Sequence, residues 1–317
     1  MPDMPAAEVV IDERLVRDLL TDQAPHLLTT GPRVWRVAAG WDSEVWRVGD
    51  DVAVRMPRRA VAAPLVRHEQ EVLPSIAVRI AAAGLDVAIP TPMVHGRPAA
   101  GYPWPWSVVP WFTGDVGLVV PPSDRGPWAV PLARTLIALH SPAEEDYPPN
   151  PFRGVPLADR DVAVESRIAS LRVLGVESSL VDAAARCWRR AMQAPTWAGP
   201  PVWIHGDLHP GNLVSRGGEL VAVIDFGDVT AGDPAYDLAI AWLAFDPASR
   251  RTFTEAAGAR YDAATWTRAA GWAAAMAVLL VEQSDDNPLY ARCGLAALHE
   301  LAGDRTDRTE DGEVAQR

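Results

Sequence analysis

The spacing of apolar positions changes partway along the chain. Residues 34–38 and 44–48 read as strands joined by a short connection at 39–43. Residues 45–48 and 52–55 flank Gly49-Asp50-Asp51 as a hairpin. A further strand runs through 101–109 into Pro110. From about residue 127 the period lengthens to that of a helix. Leu132, Leu136 and Leu139 fall on one face of 128–139, and helical patterns follow over 161–174, 179–192, 238–245, 252–257, 263–283 and 288–302. Two helices belong to the first part: 12–20, with Asp12 as N-cap, and 65–83, where Pro74 is expected to kink or end the first portion.

The helical part is interrupted once, between Val202 and Asp237, and this stretch carries the chemistry. A short apolar run, 201–204, meets Gly206, and Pro210-Gly211 keeps the following loop from becoming a helix. Gly217-Gly218 turns a hairpin between strands at 212–215 and 220–224. That ribbon brings Asn212 and Asp225, at its outer ends, side by side. Two hard oxygen ligands there suit Mg²⁺, which takes a few protein oxygens together with phosphate and water. Asp207, five residues before Asn212, is placed to accept or orient a hydroxyl proton. This is the minimum set for phosphoryl transfer, in which a protein mainly positions groups and neutralises charge.

His-Gly-Asp-Leu-His-Pro-Gly-Asn (205–212), followed by Ile-Asp-Phe-Gly-Asp (224–228) and Gly-Asp-Pro-Ala-Tyr-Asp (232–237), resembles the aminoglycoside phosphotransferase family, relatives of the protein kinases. The resemblance runs from about Val34 to the last helix. It implies an α+β, protein-kinase-like, two-lobed fold. A small lobe of antiparallel strands plus one helix would occupy 1–109, and a larger, mainly helical lobe 110–302. It further implies an ATP- or GTP-dependent O-phosphotransferase with Asp207 as catalytic base and Asn212 and Asp225 on Mg²⁺. By the same resemblance Val109 and Trp111, in the connector between lobes, offer backbone hydrogen bonds to the nucleotide base. The pair of helices at 161–192 is then a substrate-binding insertion.

The chain departs from the kinase pattern in one respect. It contains no Lys, so all 29 of its basic residues are Arg. Val52-Ala53-Val54-Arg55 stands where a kinase strand ends in its phosphate-binding Lys. Arg55 is therefore expected to contact the phosphates and to pair with an acid on the next helix, Glu69 first and Glu71 second. The loop before this strand has a single glycine, Gly40. Either it is an ordinary turn, or its amides and the Ser43 hydroxyl meet a phosphate.

Other polar residues carry two readings each. His205 and His209 are four apart, but the glycine and proline near them break any helical zinc pair. His205 is read as bonding backbone near Asp225, and His209 either touches the γ-phosphate or shapes its loop. Asp233 is read as an N-cap with Pro234 at the first helical position, and Asp237 as a structural anchor. Trp104, Trp106 and Trp111 are read as packing rather than base-stacking groups. Glu282, Asp285 and Asp286 either bind ammonium groups of a cationic acceptor or form a solvated helix end. The 147–156 loop is expected over the substrate side, and 303–317, polar and mixed in charge, as a disordered tail.

Composition narrows the remaining choices. The net charge of −12 disfavours a nucleic-acid partner, and 49% hydrophobic residues suffice for a sizeable core. Cys187 and Cys293 form no motif, the N-terminal stretch lacks the regions of a signal peptide, and no apolar run reaches membrane-spanning length. A cytoplasmic monomer or homodimer is expected, with no membrane partner. Its acceptor is an aminoglycoside or other cationic antibiotic, as in antibiotic resistance, or a metabolite such as a sugar or amino alcohol. The further alternative is a catalytically weak nucleotide-binding protein.

Overall fold

The alternating segment pairs because each of its strands has an apolar face to cover. In the computed structural model, which describes residues 5–148, 150–284 and 287–304, strands β1 (Val34–Ala39), β2 (Ser43–Val48) and β3 (Val52–Pro57) form successive antiparallel hairpins. With β4 (Val94–Gly96) and β5 (Trp106–Pro110) they make a five-stranded antiparallel sheet in the order β1-β2-β3-β5-β4. Helix α1 (Glu13–Gln23) begins at Asp12, whose carboxylate accepts from the Leu15 N–H at 2.8 Å. Its Val16, Leu19 and Leu20 pack with Trp46, Val54, Met56 and Trp106 in the small-lobe core.

Helix α2 (Ala63–Ala82) follows β3 and runs as one element through Pro74, where the sequence led us to expect a kink or an end. An internal proline costs a helix about 3 kcal/mol. Val72, Leu73, Ile76 and Ile80 lie on both sides of Pro74 and are all buried in the core shared with the large lobe, which offsets that cost. The same helix also faces the sheet, so α2 links the two lobes.

The large lobe is built on helices α3 (Ala129–Leu139), α4 (Asp161–Val173), α5 (Ser178–Gln193), α6 (Ala235–Leu238), α7 (Ile240–Ala244), α8 (Pro247–Ala257), α9 (Ala263–Glu282) and α10 (Pro288–Gly303). The helix expected over 238–245 starts earlier and is split into α6 and α7. That expected over 252–257 begins at Pro247, because Asp246 accepts from the Ser249 N–H at 2.8 Å and caps it. The start of α10 is capped by Asn287, which accepts from the Leu289 N–H at 3.0 Å. Of the tail expected over 303–317, Gly303 ends α10 and Asp304 is its C-cap, and 305–317 lies outside the described residues. Helix α9 is long and apolar enough to cross a membrane by composition. Here it is a core element, and Ala269, Trp272, Ala273, Ala277 and Val278 are buried among neighbouring helices.

Five short strands sit on the lobe surface that meets the sheet. β6 (Asp115–Val116), β8 (Leu213–Arg216) and β9 (Glu219–Val223) pair in that order, and β7 (Val202–Ile204) pairs antiparallel with β10 (Thr230–Gly232). β8 and β9 are the hairpin read from the two glycines.

Trp188 on α5 is fully buried, donates its indole N–H to Asp161 at 2.8 Å and sets its edge against Trp272 with centroids 5.8 Å apart. Trp188→Ala is expected to destabilise the large lobe by about 3–5 kcal/mol. Chemical denaturation monitored by far-UV circular dichroism would check this, with Trp188→Phe expected to lose less.

Candidate active site in the cleft between the lobes

The loop after β7 is held by a carboxylate rather than by its own turns. Asp237, fully buried at the start of the helical run, accepts from the backbone N–H groups of His205 at 2.7 Å and Gly206 at 3.1 Å. Its Oδ2 also lies 3.2 Å from His140 Nε2. The anchor reading of Asp237 therefore holds. Gly206 adopts φ +82°, and a Cβ there would stand 2.3 Å from the Asp228 carbonyl oxygen, so only glycine lets this loop touch the next one. His205 Nδ1 accepts from the Asp207 N–H at 3.2 Å while Nε2 lies 2.9 Å from the Ile224 carbonyl. Together these contacts place its proton on Nε2 and give it the structural role read from the sequence.

Asn212 and Asp225 are neighbours, as the hairpin requires. The Ile224 N–H donates to the Asn212 carbonyl at 2.9 Å, and the Asn212 side-chain amide donates to the Asp207 carbonyl at 2.8 Å. The second contact fixes the amide and leaves Asn212 Oδ1 as its free donor atom to a cation. Asp225 has φ +64°, one of two non-glycine residues in the left-handed region among the described residues, and both it and Asn212 line the cleft. Strain of this kind persists where surrounding structure enforces it, often at functional sites. Among the described residues no group of three or more His, Cys, Asp or Glu side chains is arranged to hold a metal. One carboxylate and one amide fit an ion such as Mg²⁺, whose remaining ligands are phosphate oxygens and water.

Arg55 reaches from β3 to both sides of the cleft. Its guanidinium lies 3.1 Å from Glu69 on α2 and 2.6 Å from Asp225. Of the two acids considered for this helix, it is Glu69 that pairs. Burial alone would weaken the Arg55 charge, but Asp225 and Glu69 outweigh it and hold the group firmly protonated. Desolvation in the cleft would raise the Asp225 carboxyl, but Arg55 outweighs it and holds this half-exposed group below its usual range. For Glu69 burial prevails over Arg55 and pushes the carboxyl up to about 7.

Asp207 faces one guanidinium and one imidazole. Arg153 donates to its Oδ1 at 3.2 Å, and His209 Nε2 stands 3.6 Å from its Oδ2. Burial would raise this carboxyl, but His209 and Arg153 hold it well below the usual carboxylate range. His209 Nδ1 accepts from the Gly211 N–H at 3.0 Å, so this ring both shapes its loop and borders the cleft.

The cleft has a volume of about 910 Å³, and Ser43, Arg55, Glu69, Val109, Trp111, Asp207, His209, Asn212 and Asp225 all line it. Gly40 closes the connection above it by donating to the Ser43 carbonyl at 2.9 Å. Two expected contacts need correction. The Trp111 N–H is committed to the Asp51 carbonyl at 2.7 Å. Val109 lies opposite Ala53 in the same register, so strand alternation turns its peptide groups toward β3 as well. On β5 Val108 and Pro110 face the other way; the Val108 carbonyl accepts from the Met93 N–H at 2.7 Å, which leaves the Pro110 carbonyl at the cleft. Trp104 and Trp106 are packing residues, the first edge-on to Tyr102 and the second fully buried, whereas Trp111 borders the cleft beneath the Arg47 guanidinium.

Glu282 is turned to α4, where Arg167 lies at 3.3 Å and the Ser170 hydroxyl donates at 2.7 Å, and it does not line the cleft. Asp285 and Asp286 lie outside the described residues. Asp233 stands one residue before the N-cap, which is Pro234, the residue expected at the first helical position; it still accepts from the Ala235 N–H at 3.0 Å and pairs with buried Arg268, a partner 35 positions away. The sequence reading missed Arg153 and Asp228 altogether. A trace of a signal was present in Asn150, whose side chain accepts from the Phe152 and Arg153 N–H groups in the Pro-rich loop.

A two-lobed cleft lined together by Asp207, Asn212 and Asp225 fits the class of phosphotransferases acting on a hydroxyl group of a small molecule. Residues 33–272 match the phosphotransferase enzyme family, APH, and the chain belongs to that family. No curated protein matches the sequence. Among solved structures it is similar to the GDP and kanamycin complex of APH(2")-IIia, at 19% identity and a TM-score of 0.65, covering 92% of this chain and 99% of that one. It is also similar to macrolide 2'-phosphotransferase MphH from Brachybacterium faecium, at 19% identity, a TM-score of 0.56 and coverage of 95% and 99%. The streptomycin-ATP complex of APH(2")-IIa shows 15% identity, a TM-score of 0.52 and coverage of 93% and 98%. At these identities the likeness establishes the fold.

The Glu69 carboxyl gives a pH test of the site. Because its folded value lies above the ordinary one, the folded chain binds this proton more tightly than the unfolded chain. The stability Glu69 contributes is then fully present below its unfolded pKa and lost as pH rises through about 7. The slope is at most about 1.4 kcal/mol per pH unit. In the absence of nucleotide, Tm of the unaltered chain should fall relative to Glu69→Gln between pH 5 and 8. Parallel Tm curves would remove the assignment.

Proposed function

We propose that this chain transfers the γ-phosphate of a nucleoside triphosphate to a hydroxyl of a small molecule. The observation that carries the reading is the convergence of Asp207, Asn212, Asp225 and the Arg55–Glu69 pair on one cleft. The triphosphate lies with its base toward β5, where the Pro110 carbonyl accepts from it, and its phosphates toward Arg55 and the Gly40–Ser43 connection. Asn212 Oδ1 and Asp225 would hold Mg²⁺, which when bound supplies the positive charge that neutralises the β- and γ-phosphates. Arg55 then exchanges its contact with Asp225 for phosphate oxygens while keeping Glu69 as its partner.

Asp207 receives the acceptor hydroxyl. A carboxylate held so far below its usual range is a weak proton acceptor, so its first contribution is orientation. The proton passes to it late, as the bond to phosphorus forms, which suits the loose transition state of phosphoryl transfer. Preorganised charge around the moving phosphoryl group supplies the rest.

For the acceptor, an aminoglycoside or another cationic antibiotic is the first class to test. Similar structures include complexes with kanamycin and streptomycin and a macrolide 2'-phosphotransferase, which supports hydroxyl-rich antibiotics as a group. A sugar, amino alcohol or other metabolite on the same scaffold is the second. Beside Asp207, Asp228 and Arg153, the described cleft wall carries Leu279, Leu280, Gln283, Asn287 and Tyr290, which add no charge, so a hydroxylated, uncharged face of the acceptor fits against them. The complete Asp207, Asn212 and Asp225 set argues against a weak nucleotide binder.

The test is release of nucleoside diphosphate from ATP and from GTP across a panel of antibiotics and metabolites. Asp207→Ala should lower turnover by about 10²–10⁴-fold while nucleotide affinity stays within a few fold. An Asp207→Ala protein that still turns over with any acceptor at the unaltered rate rejects this mechanism.

A further inference from the structure

The acceptor end of the cleft contains a built arrangement that no family motif predicts. Arg153 lies in the loop between α3 and α4, and three of its nitrogens are engaged. Nη2 donates to Asp207 Oδ1 at 3.2 Å, Nε to Asp228 Oδ2 at 3.1 Å and Nη1 to the Tyr236 hydroxyl at 2.9 Å. The other carboxylate oxygen of Asp228 accepts from the Asn150 side-chain amide at 2.8 Å. Asn150 in turn uses its Oδ1 to hold the Arg153 backbone N–H at 3.1 Å.

The loop backbone is fitted to this purpose. The Thr230 hydroxyl donates to the Pro148 carbonyl at 2.7 Å. Gly154, next to Arg153, has φ +69°, and a Cβ on it would stand 2.7 Å from the Ala231 carbonyl oxygen. A Cβ on Gly232 would stand 2.5 Å from the Gly154 carbonyl oxygen. Two glycines thus let the loop backbone lie directly on β10, and that contact sets where the guanidinium enters the cleft.

Charge makes the placement consequential. Asp207, Asp225 and Asp228 all line the cleft, as does Arg153. Two carboxylates at the acceptor end repel each other unless a cation lies between them, and a guanidinium fork can hold one on each of two edges where an ammonium cannot. With Oδ1 of Asp207 held by Arg153, Oδ2 is the oxygen left toward the cleft, bordered by His209 Nε2 at 3.6 Å, beyond hydrogen-bonding length.

We propose that Arg153 is a positioning residue for phosphoryl transfer: it clamps Asp207 to Asp228, so that Asp207 Oδ2 is the oxygen presented to the acceptor hydroxyl. The proposal rests on the phosphotransferase reading above and adds a residue to it. Tyr236 and Asn150 brace the clamp from either side, and Asp228 is its second jaw.

The experiment compares full-length Arg153→Gln, Arg153→Lys, Asp228→Asn and the Arg153→Gln/Asp228→Asn double variant, with diphosphate release as the activity and direct titration as the measure of nucleotide binding. For Arg153→Gln, kcat should fall by roughly 100-fold, the scale expected for misplacing a reacting group by about 1 Å. Its KM and Kd for nucleotide should stay within about threefold, since the clamp acts at the other end of the cleft. Arg153→Lys should recover part of kcat, and the double variant should be no worse than Arg153→Gln, because partners in one network do not add. The proposal is overturned if kcat of Arg153→Gln stays within about threefold of the unaltered chain. It is equally overturned if nucleotide binding is lost with kcat, which marks a structural role, or if the two single losses multiply in full. An unaltered chain that binds nucleotide and releases diphosphate keeps the parent reading alive in each of these cases. One that does neither removes both.

Discussion

One guanidinium ties this molecule together. Arg55 belongs to the sheet, Glu69 to α2 and Asp225 to the far lobe, and the three meet through two contacts of 3.1 and 2.6 Å. A buried carboxylate such as Glu69 is tolerated only with a partner, and a half-exposed one such as Asp225 gains little from an ion pair alone. The arrangement therefore makes little sense as a source of stability. It makes sense as a device that keeps a cation and a left-handed aspartate facing the same space. Asp225 can hold φ +64° because Ile224 is hydrogen-bonded to Asn212 on one side and to His205 on the other.

Below that contact the loop carrying Asp207 is set from beneath. Asp237 sits in a helix and takes two backbone N–H groups from the loop, so helix packing fixes the loop. Gly206 then brings the two loops into backbone contact at Asp228. Rigid elements hold each acidic residue, while the rest of the cleft is lined in part by groups from α9, the start of α10 and the connection before α4. This division separates a fixed transfer machinery from walls that can vary with the acceptor.

Legibility in the sequence follows the range of each interaction. The hairpins, the capped start of α1, and the Asp207, Asn212 and Asp225 set could be read because turn chemistry and spacing act over a few residues. Glu69 was legible because one helix follows β3 directly. The course of α2 through Pro74 was not, since long-range burial of Val72, Leu73, Ile76 and Ile80 overrides a local rule. Trp111 misled for a different reason: which peptide groups face a cleft depends on register with β3, and the Asp51 carbonyl had already taken its N–H. Glu282 reads as a free acid in sequence, yet Arg167 and Ser170 lie more than 100 positions away. Arg153 had no motif at all, because its meaning depends on two glycines of different segments touching.

The absence of lysine sharpens this picture. A lysine ammonium is a mobile point charge that can serve one anion and move to another. Arginine is planar, permanently charged and directional. At Arg55 the fork spans an acid on each lobe, and at Arg153 it spans the two acids of the acceptor end. A chain restricted to arginine thus has its positive charges in the cleft held in defined orientations before any substrate arrives. Preorganisation of that kind lowers the reorganisation needed as charge develops on the moving phosphoryl group. It also means that Arg55 would have to give up a carboxylate to meet a phosphate, so a bound nucleotide would compete with Asp225 for it. A divalent ion held by Asn212 and Asp225 would relieve that competition, because its charge would replace the arginine as the partner of Asp225.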